Sequence, residues 1–175
     1  MNRGGARAHA RILVMCTANR GRSPLAAAML RRMLAERGQG GLVAVESAGM
    51  SVHELGRAGY RSGAPIRAIA RRHGLDLEDH RARPLDAASF PSYDLVIVME
   101  AWQSHALRQC WPDRADRVFT LRELAGATDD PNTPDVAGLP ESLLETFMAE
   151  ARRCLEAGFD AGPLAPFIQA RGSPS

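Results

Sequence analysis

A lone thiol and two guanidinium groups share one short stretch of this chain, "VMCTANRGRSPLAAAML", residues 14–30. Cys16 and Arg22 stand in a C-x5-R spacing, with an apolar run before the cysteine and Ser23-Pro24 directly after the arginine. Those residue types at that spacing suit the capture and attack of a phosphate group. A loop of this length between a strand and a helix can curl so that the backbone N–H groups of Thr17, Ala18, Asn19, Arg20 and Gly21 turn inward. A helix N-terminus then closes the anion nest. Arg22 can fork onto two phosphate oxygens. Helix N-termini and arginines favour the thiolate form of a cysteine, and a thiolate under a bound phosphate is placed for in-line attack, giving a phosphocysteine. Ser23 suits the N-cap, with its hydroxyl able to reach the Cys16 sulfur, and Pro24 suits the first helical position.

The elements that must hold this turn are legible in the pattern of apolar residues. "RILVM" (11–15) is a β-rich run, followed after the turn by helix-like sequence over 24–37, with Leu25, Met29, Leu30, Met33 and Leu34 at helical spacing. A second strand is expected over 41–49, a helix over 64–74 with Gly74 as its C′ residue, and a continuous apolar strand over 93–100. A helix over 103–111, a strand over 117–121 and a last helix over 140–158 complete the series. Strand and helix alternate four times, which predicts an α/β fold: a four-stranded parallel sheet with helices on both faces. Such sheets bind ligands at the C-terminal ends of their strands, which is where the cysteine turn falls.

A chain of 175 residues with 45% hydrophobic residues reads as one globular domain. Its expected bounds are 11–160, with a flexible N-terminal extension over 1–10 and a flexible tail over 161–175, rich in Pro, Gly and Ser. No apolar run reaches the roughly 20 residues of a membrane helix, and "MNRGGARAHAR" lacks a signal-peptide core. A cytoplasmic protein without membrane partner is expected. All 22 Lys+Arg positions are arginine, yet the net charge is only +2. That balance gives no footprint for nucleic acid. Three scattered cysteines fit neither a disulfide framework nor a zinc spacing, so a reducing compartment and no metal are expected.

"VMCTANRGRSPLA" resembles the phosphate loop of the low-molecular-weight protein tyrosine phosphatases. "VESAGM" (45–50), "HGLDLEDHRARPL" (73–85), "YDLVIVME" (93–100) and "RVFTLRELAG" (117–126) are similar to that family's later segments, in the same order. The resemblance covers roughly residues 11–157. It implies a flavodoxin-like fold and hydrolysis of phosphate monoesters through phosphocysteine, with no cofactor and with a phosphorylated protein as partner. By position, Asn19 matches the asparagine that braces the turn, and Ser47 and His80 match partners in its hydrogen-bond network.

Hydrolysis also needs a general acid for the leaving oxygen, which the family supplies from an Asp-Pro loop before the last helix. Here "GATDDPNTPDVAGLPESLLETF" offers two aspartates. Asp130 keeps the proline (Pro131) but lies too far from the helix. Asp135 keeps the spacing but is followed by Val136, and it is the preferred candidate because spacing sets the reach of the carboxylate. No aromatic residue flanks either one, so a phosphotyrosine ring lacks its usual wall. Arg20 replaces a small or aliphatic residue; it either points into solvent or favours extra negative charge beside the phosphate. Gly21 stands where many relatives carry a second cysteine, which predicts easier irreversible oxidation of Cys16. The segment 49–65 looks lengthened, making His53, Arg57, Tyr60 and Arg61 candidates for the substrate rim. The readings left open are a protein phosphatase, a phosphatase of a small charged ester such as a sugar phosphate or nucleotide, and a non-catalytic phosphate-binding module. Arsenate reduction is disfavoured, because no further cysteine lies between Cys16 and Cys110.

Overall fold

The computed structural model describes residues 10–168. Four strands, β1 (Ala10–Cys16), β2 (Val43–Gly49), β3 (Leu95–Val98) and β4 (Val118–Thr120), form one parallel sheet in the order β2-β1-β3-β4. Helices α1 (Arg22–Glu36), α2 (Ala64–Arg72), α3 (Ala101–Cys110) and α4 (Glu141–Ala161) connect and cover it. This is the expected architecture, with element boundaries shifted by a few residues.

Side chains alternate between the two faces of a strand, and β1 uses both. Ile12, Val14 and Cys16 face a core shared with α1, α2 and α4, whereas Leu13 and Met15 face a second core with Phe90, Tyr93 and Leu107 of α3. Residues 12–15 are therefore no more than 1% exposed. Such a strand reads as a continuous apolar run because neither face meets water. The helix α1 carries Ala26-Ala27-Ala28 beside Leu25, Met29 and Leu30, all buried, so small side chains let it lie close to the sheet. In α4 the buried set Leu144, Phe147, Met148, Ala151, Cys154, Leu155, Gly158 and Phe159 follows the helical repeat.

Chain punctuation explains the boundaries. Gly74 has φ 68° and closes α2, with Leu75 N–H bonded to Ala70 O (2.8 Å) and Gly74 N–H to Arg71 O (3.0 Å), the paired bonds of a Schellman motif. The start of α3 falls at Ala101 rather than 103, because Glu100 and Gln103 form a reciprocal capping box that includes Gln103 Oε1 accepting from Glu100 N–H (3.2 Å). The start of α1 also corrects an expectation. Its N-cap is Gly21, so Ser23 and Pro24 occupy the second and third helical positions rather than the cap and the first. Proline is tolerated there because the first four helical N–H groups lack intrahelical acceptors.

The tail expected from residue 161 is packed as far as the structure describes it. Leu164 is fully buried, in a stretch that continues into a 3-10 turn over Ala165–Phe167. A Cβ on Gly158 would stand 3.0 Å from Leu164 Cδ1 and 3.3 Å from Leu124 Cβ, so α4 is kept close to both leucines. The remaining residues of both expected extensions, 1–9 and 169–175, lie outside the described residues. Among the described residues, no helix is long and apolar enough to cross a membrane. Leu164→Ala is expected to lower unfolding free energy by about 2–5 kcal/mol in chemical denaturation. A change below about 0.5 kcal/mol, the size of an ordinary surface substitution, would return this segment to the status of a loose tail.

Candidate active site

Cys16 ends β1, 3% exposed, and pairs in register with Gly49 at the end of β2. The turn that follows lies directly on Gly49: a Cβ there would stand 2.7 Å from Thr17 O and 3.0 Å from Asn19 N. Only a glycine permits that approach. Three carbonyls of the turn are engaged, Cys16 O by Met50 N–H (2.9 Å), Thr17 O by Ser51 N–H (2.9 Å) and Asn19 O by His80 Nε2 (2.8 Å). With these carbonyls turned outward, amides are left for the inner side, and Asn19 N–H indeed donates to Cys16 Sγ at 3.3 Å. The Ser23 hydroxyl lies 3.1 Å from the same sulfur.

Asn19 is the brace of this turn. It is fully buried and is the only non-glycine residue among those described with positive φ, at 54°. Its Nδ2 donates to Ser23 Oγ (2.9 Å) and Ser47 Oγ (3.0 Å), and its Oδ1 accepts from Arg83 N–H (3.0 Å). His80 supplies the remaining tie. A carbonyl can only accept, so the proton of a neutral His80 is on Nε2. Burial, foremost, and the nearby Arg31, Arg81 and Arg83 hold the pKa of His80 below its ordinary value, against the opposing effect of its bond to Asn19.

Arg22 is 3% exposed, and its guanidinium is held by groups from distant parts of the chain. One terminal nitrogen donates to Thr133 O (2.7 Å), the other pairs with Glu100 Oε1 (2.7 Å), and Nε lies 3.6 Å from Asp135 Oδ1. A buried cation without such partners would be strongly destabilising. Glu100, Thr133 and Gln103 were not anticipated from sequence. Glu100 had a usable signal, a carboxylate at the C-terminal end of an apolar strand followed by glutamine three residues on. Gln103 Nε2 reaches Thr17 Oγ1 (3.2 Å). Thr133 acts through its backbone and left no signal.

The two aspartates part company. Asp130 pairs with Arg122 (2.6 Å) and accepts from Asn132 N–H (3.1 Å), and these hold its carboxyl below the usual range, the Asn132 bond foremost. Asp135 is the one near Arg22. Its Oδ1 accepts from Val136 N–H (2.7 Å) and Ala137 N–H (3.2 Å), and its side chain is 67% exposed. Val136 itself is buried, and it explains Gly21. A Cβ at position 21 would lie 2.8 Å from Val136 Cγ2, although the backbone there has an unexceptional φ of −132°. The Val136 side chain fills the space above the glycine.

The rim is also built. Arg20 does not point into solvent: its Nε donates to Arg61 O (3.0 Å) and its guanidinium lies 5.6 Å from the Tyr60 ring centroid. Arg57 approaches the same ring at 5.4 Å. His53 is exposed in this loop. Ala18 and Thr17 are half-buried in the turn. Of the other cysteines, Cys110 is exposed at the end of α3 and Cys154 is buried in α4.

The sequence profile of the family described as low molecular weight phosphotyrosine protein phosphatase matches residues 11–155. The chain is 31% identical over 161 residues to a probable low molecular weight protein-tyrosine-phosphatase, EpsP, of Ralstonia nicotianae, covering 92% of this chain and 97% of that one. It is 35% identical over 130 residues to a low molecular weight protein-tyrosine-phosphatase of Streptomyces coelicolor, covering 71% and 76%. Among solved structures it superposes on the low molecular weight protein tyrosine phosphatase of T. tengcongensis with a TM-score of 0.75, at 25% identity, covering 85% and 96%.

Two outcomes follow from this geometry. Gly21→Ala is expected to push Val136 and the Asp135 loop away and to lower kcat for an aryl phosphate about 10- to 100-fold. Adding Val136→Ala should restore much of the loss; no recovery would dissociate the two residues. For His80, whose folded pKa lies below the unfolded value of about 6.5, stability is fully present above that value and is lost as pH falls toward the folded pKa. Denaturation midpoints of parent and His80→Gln, compared between pH 7.5 and 5, should converge on acidification; a constant gap would remove His80 as the titrating group.

Proposed function

The chain belongs to the low-molecular-weight phosphotyrosine protein phosphatase family and is a phosphatase, and on that premise we propose that it dephosphorylates phosphotyrosine in protein through a phosphocysteine on Cys16. The observation that carries this reading is the convergence of Cys16, Arg22 and Asp135 at one end of the sheet, with Asp135 Oδ1 3.6 Å from Arg22 Nε. The phosphate dianion binds over the turn, against its amides and the guanidinium of Arg22. The Cys16 thiolate attacks phosphorus as the bond to the ester oxygen breaks, and the leaving oxygen takes a proton from Asp135. Asp135, now ionised, accepts a proton from water as that water attacks phosphorus and expels the thiolate. Ser23, within 3.1 Å of the sulfur, is placed to stabilise the departing thiolate. No metal is asked to act.

Asp130 is a poor candidate for the acid, since its carboxylate pairs with Arg122, whereas Asp135 is the aspartate beside Arg22. The rim of Arg20, Arg57 and Tyr60 favours substrates with negative charge near the phosphate. Acidic residues flanking a phosphotyrosine fit this, and so does a small charged ester. The free thiols of Cys16, Cys110 and Cys154 fit a reducing compartment such as the cytoplasm.

Metal-free hydrolysis of p-nitrophenyl phosphate is expected in the parent and is expected to vanish in Cys16→Ser. Asp135→Asn should lower kcat about 100-fold or more, with a greater loss on phenyl phosphate, whose leaving group needs the proton more. Asp130→Asn should cost less than about threefold, as befits an exposed ion pair. A larger loss from Asp130→Asn would transfer the role of acid, and a folded parent that binds phosphate without turnover would make the site a binding module.

A further inference from the structure

The loop of Asp135 brings no aromatic residue to the site, yet the first turn of α3, bonded to that loop, carries Trp102. Residues 100, 101 and 103 each touch the site: Glu100 pairs with Arg22, Ala101 N–H donates to Asn132 Oδ1 of the acid loop (2.8 Å), and Gln103 reaches Thr17. Trp102 stands among them. Its indole Nε1 donates to Glu100 Oε2 (2.9 Å), the second oxygen of the carboxylate whose first oxygen holds Arg22. One carboxylate therefore ties the indole to the guanidinium that binds the phosphate.

The ring is nevertheless 45% exposed. Large apolar side chains left open to water beside a site mark a binding surface more often than isolated ones do. Among the described residues the large exposed hydrophobics are Leu55, Tyr60, Trp102 and Leu143, and Tyr60 is on the rim of this same turn. The sheet order puts Tyr60 and Trp102 on opposite flanks. The segment after β2 and the helix after β3 lie on either side of β1, whose C-terminal turn carries Cys16. On the Tyr60 flank the ring is occupied by two guanidiniums. On the Trp102 flank the indole edge is bonded and tethered, and the exposed remainder is free for contact.

We propose that Trp102 is the specificity wall of this phosphatase, the surface on which the aromatic ring of the leaving group lies, so that aryl phosphates are preferred over alkyl phosphates of similar charge. The proposal rests on the phosphatase reading and adds the residue that sets its preference for an aryl group. An aromatic pair is favourable through its offset or edge-to-face geometry as well as through the area it buries. The tether to Glu100 fixes the ring in advance, so little rotamer freedom is lost on binding.

The test compares competitive inhibition constants of benzylphosphonate and ethylphosphonate against p-nitrophenyl phosphate hydrolysis in the parent, Trp102→Ala and Trp102→Phe. The parent should bind benzylphosphonate more tightly, Trp102→Ala should reduce that ratio about tenfold, and Trp102→Phe should retain most of it, because a ring remains although the bond to Glu100 is gone. A ratio that is the same in Trp102→Ala and parent overturns the proposal while leaving the phosphatase reading intact; absence of Cys16-dependent turnover in the parent overturns both. An independent readout uses Trp111→Phe, which leaves Trp102 as the sole tryptophan. Its fluorescence should change saturably with benzylphosphonate and much less with ethylphosphonate. Equal responses to both would again count against a ring contact.

Discussion

The left-handed conformation of Asn19 is the constraint on which the rest of the site depends. A non-glycine residue held there costs on the order of 1–3 kcal/mol. Five hydrogen bonds involve this residue, through its N–H, its carbonyl and both ends of its side-chain amide. At about 0.5–1.5 kcal/mol each, they exceed the strain. Their partners come from the end of β1, the first turn of α1, β2 and the segment over 80–83. The turn is thus set by four parts of the chain at once, and its amides are in place before any anion arrives. That is electrostatic preorganisation, which removes the cost of reorienting dipoles during reaction.

Arg22 is the second point of convergence. It sits at the first position of α1, where the helix dipole already favours an anion, yet its charge is balanced by Glu100 from the β3–α3 joint and approached by Asp135 from the loop before α4. The same guanidinium therefore joins the loop of Asp135 to the first turn of α3. Val136 adds a packing contact to the electrostatic one, since its methyl occupies the space a side chain at Gly21 would need. Glycine at 21 and valine at 136, both departures from the pattern the resemblance implies, are thus joined by one packing contact.

Much of this was readable in the chain. Periodicity and breakers located all four strands and four helices, because β1 and β3 are buried on both faces and α4 on one. C-x5-R followed by Ser-Pro identified the turn, and Asn19, Ser47 and His80 fell in one hydrogen-bond network as the resemblance implied. The choice between Asp130 and Asp135 rested on spacing, and the structure places only Asp135 near Arg22. The helix starts were less legible. Capping at α3 uses a glutamate, and α1 begins before its serine, so reading from the usual cap residues misplaced both. Leu164 was missed because it follows Gly162-Pro163, a pair that reads as a loose tail until a groove beside Gly158 is known to receive the leucine.

By itself, the sequence determined which groups exist to do chemistry and at which strand end they emerge, since covalent spacing and side-chain periodicity are local properties. Tertiary structure alone decided the company they keep. Glu100 and Thr133 on Arg22, Val136 over Gly21 and Arg20 clasped to the segment carrying Tyr60 are contacts between residues tens of positions apart. Such pairings depend on the order β2-β1-β3-β4, which brings the loops after separate strands to one edge of the sheet. No local pattern encodes that juxtaposition, because it arises from how buried faces fit together rather than from any one residue's preference.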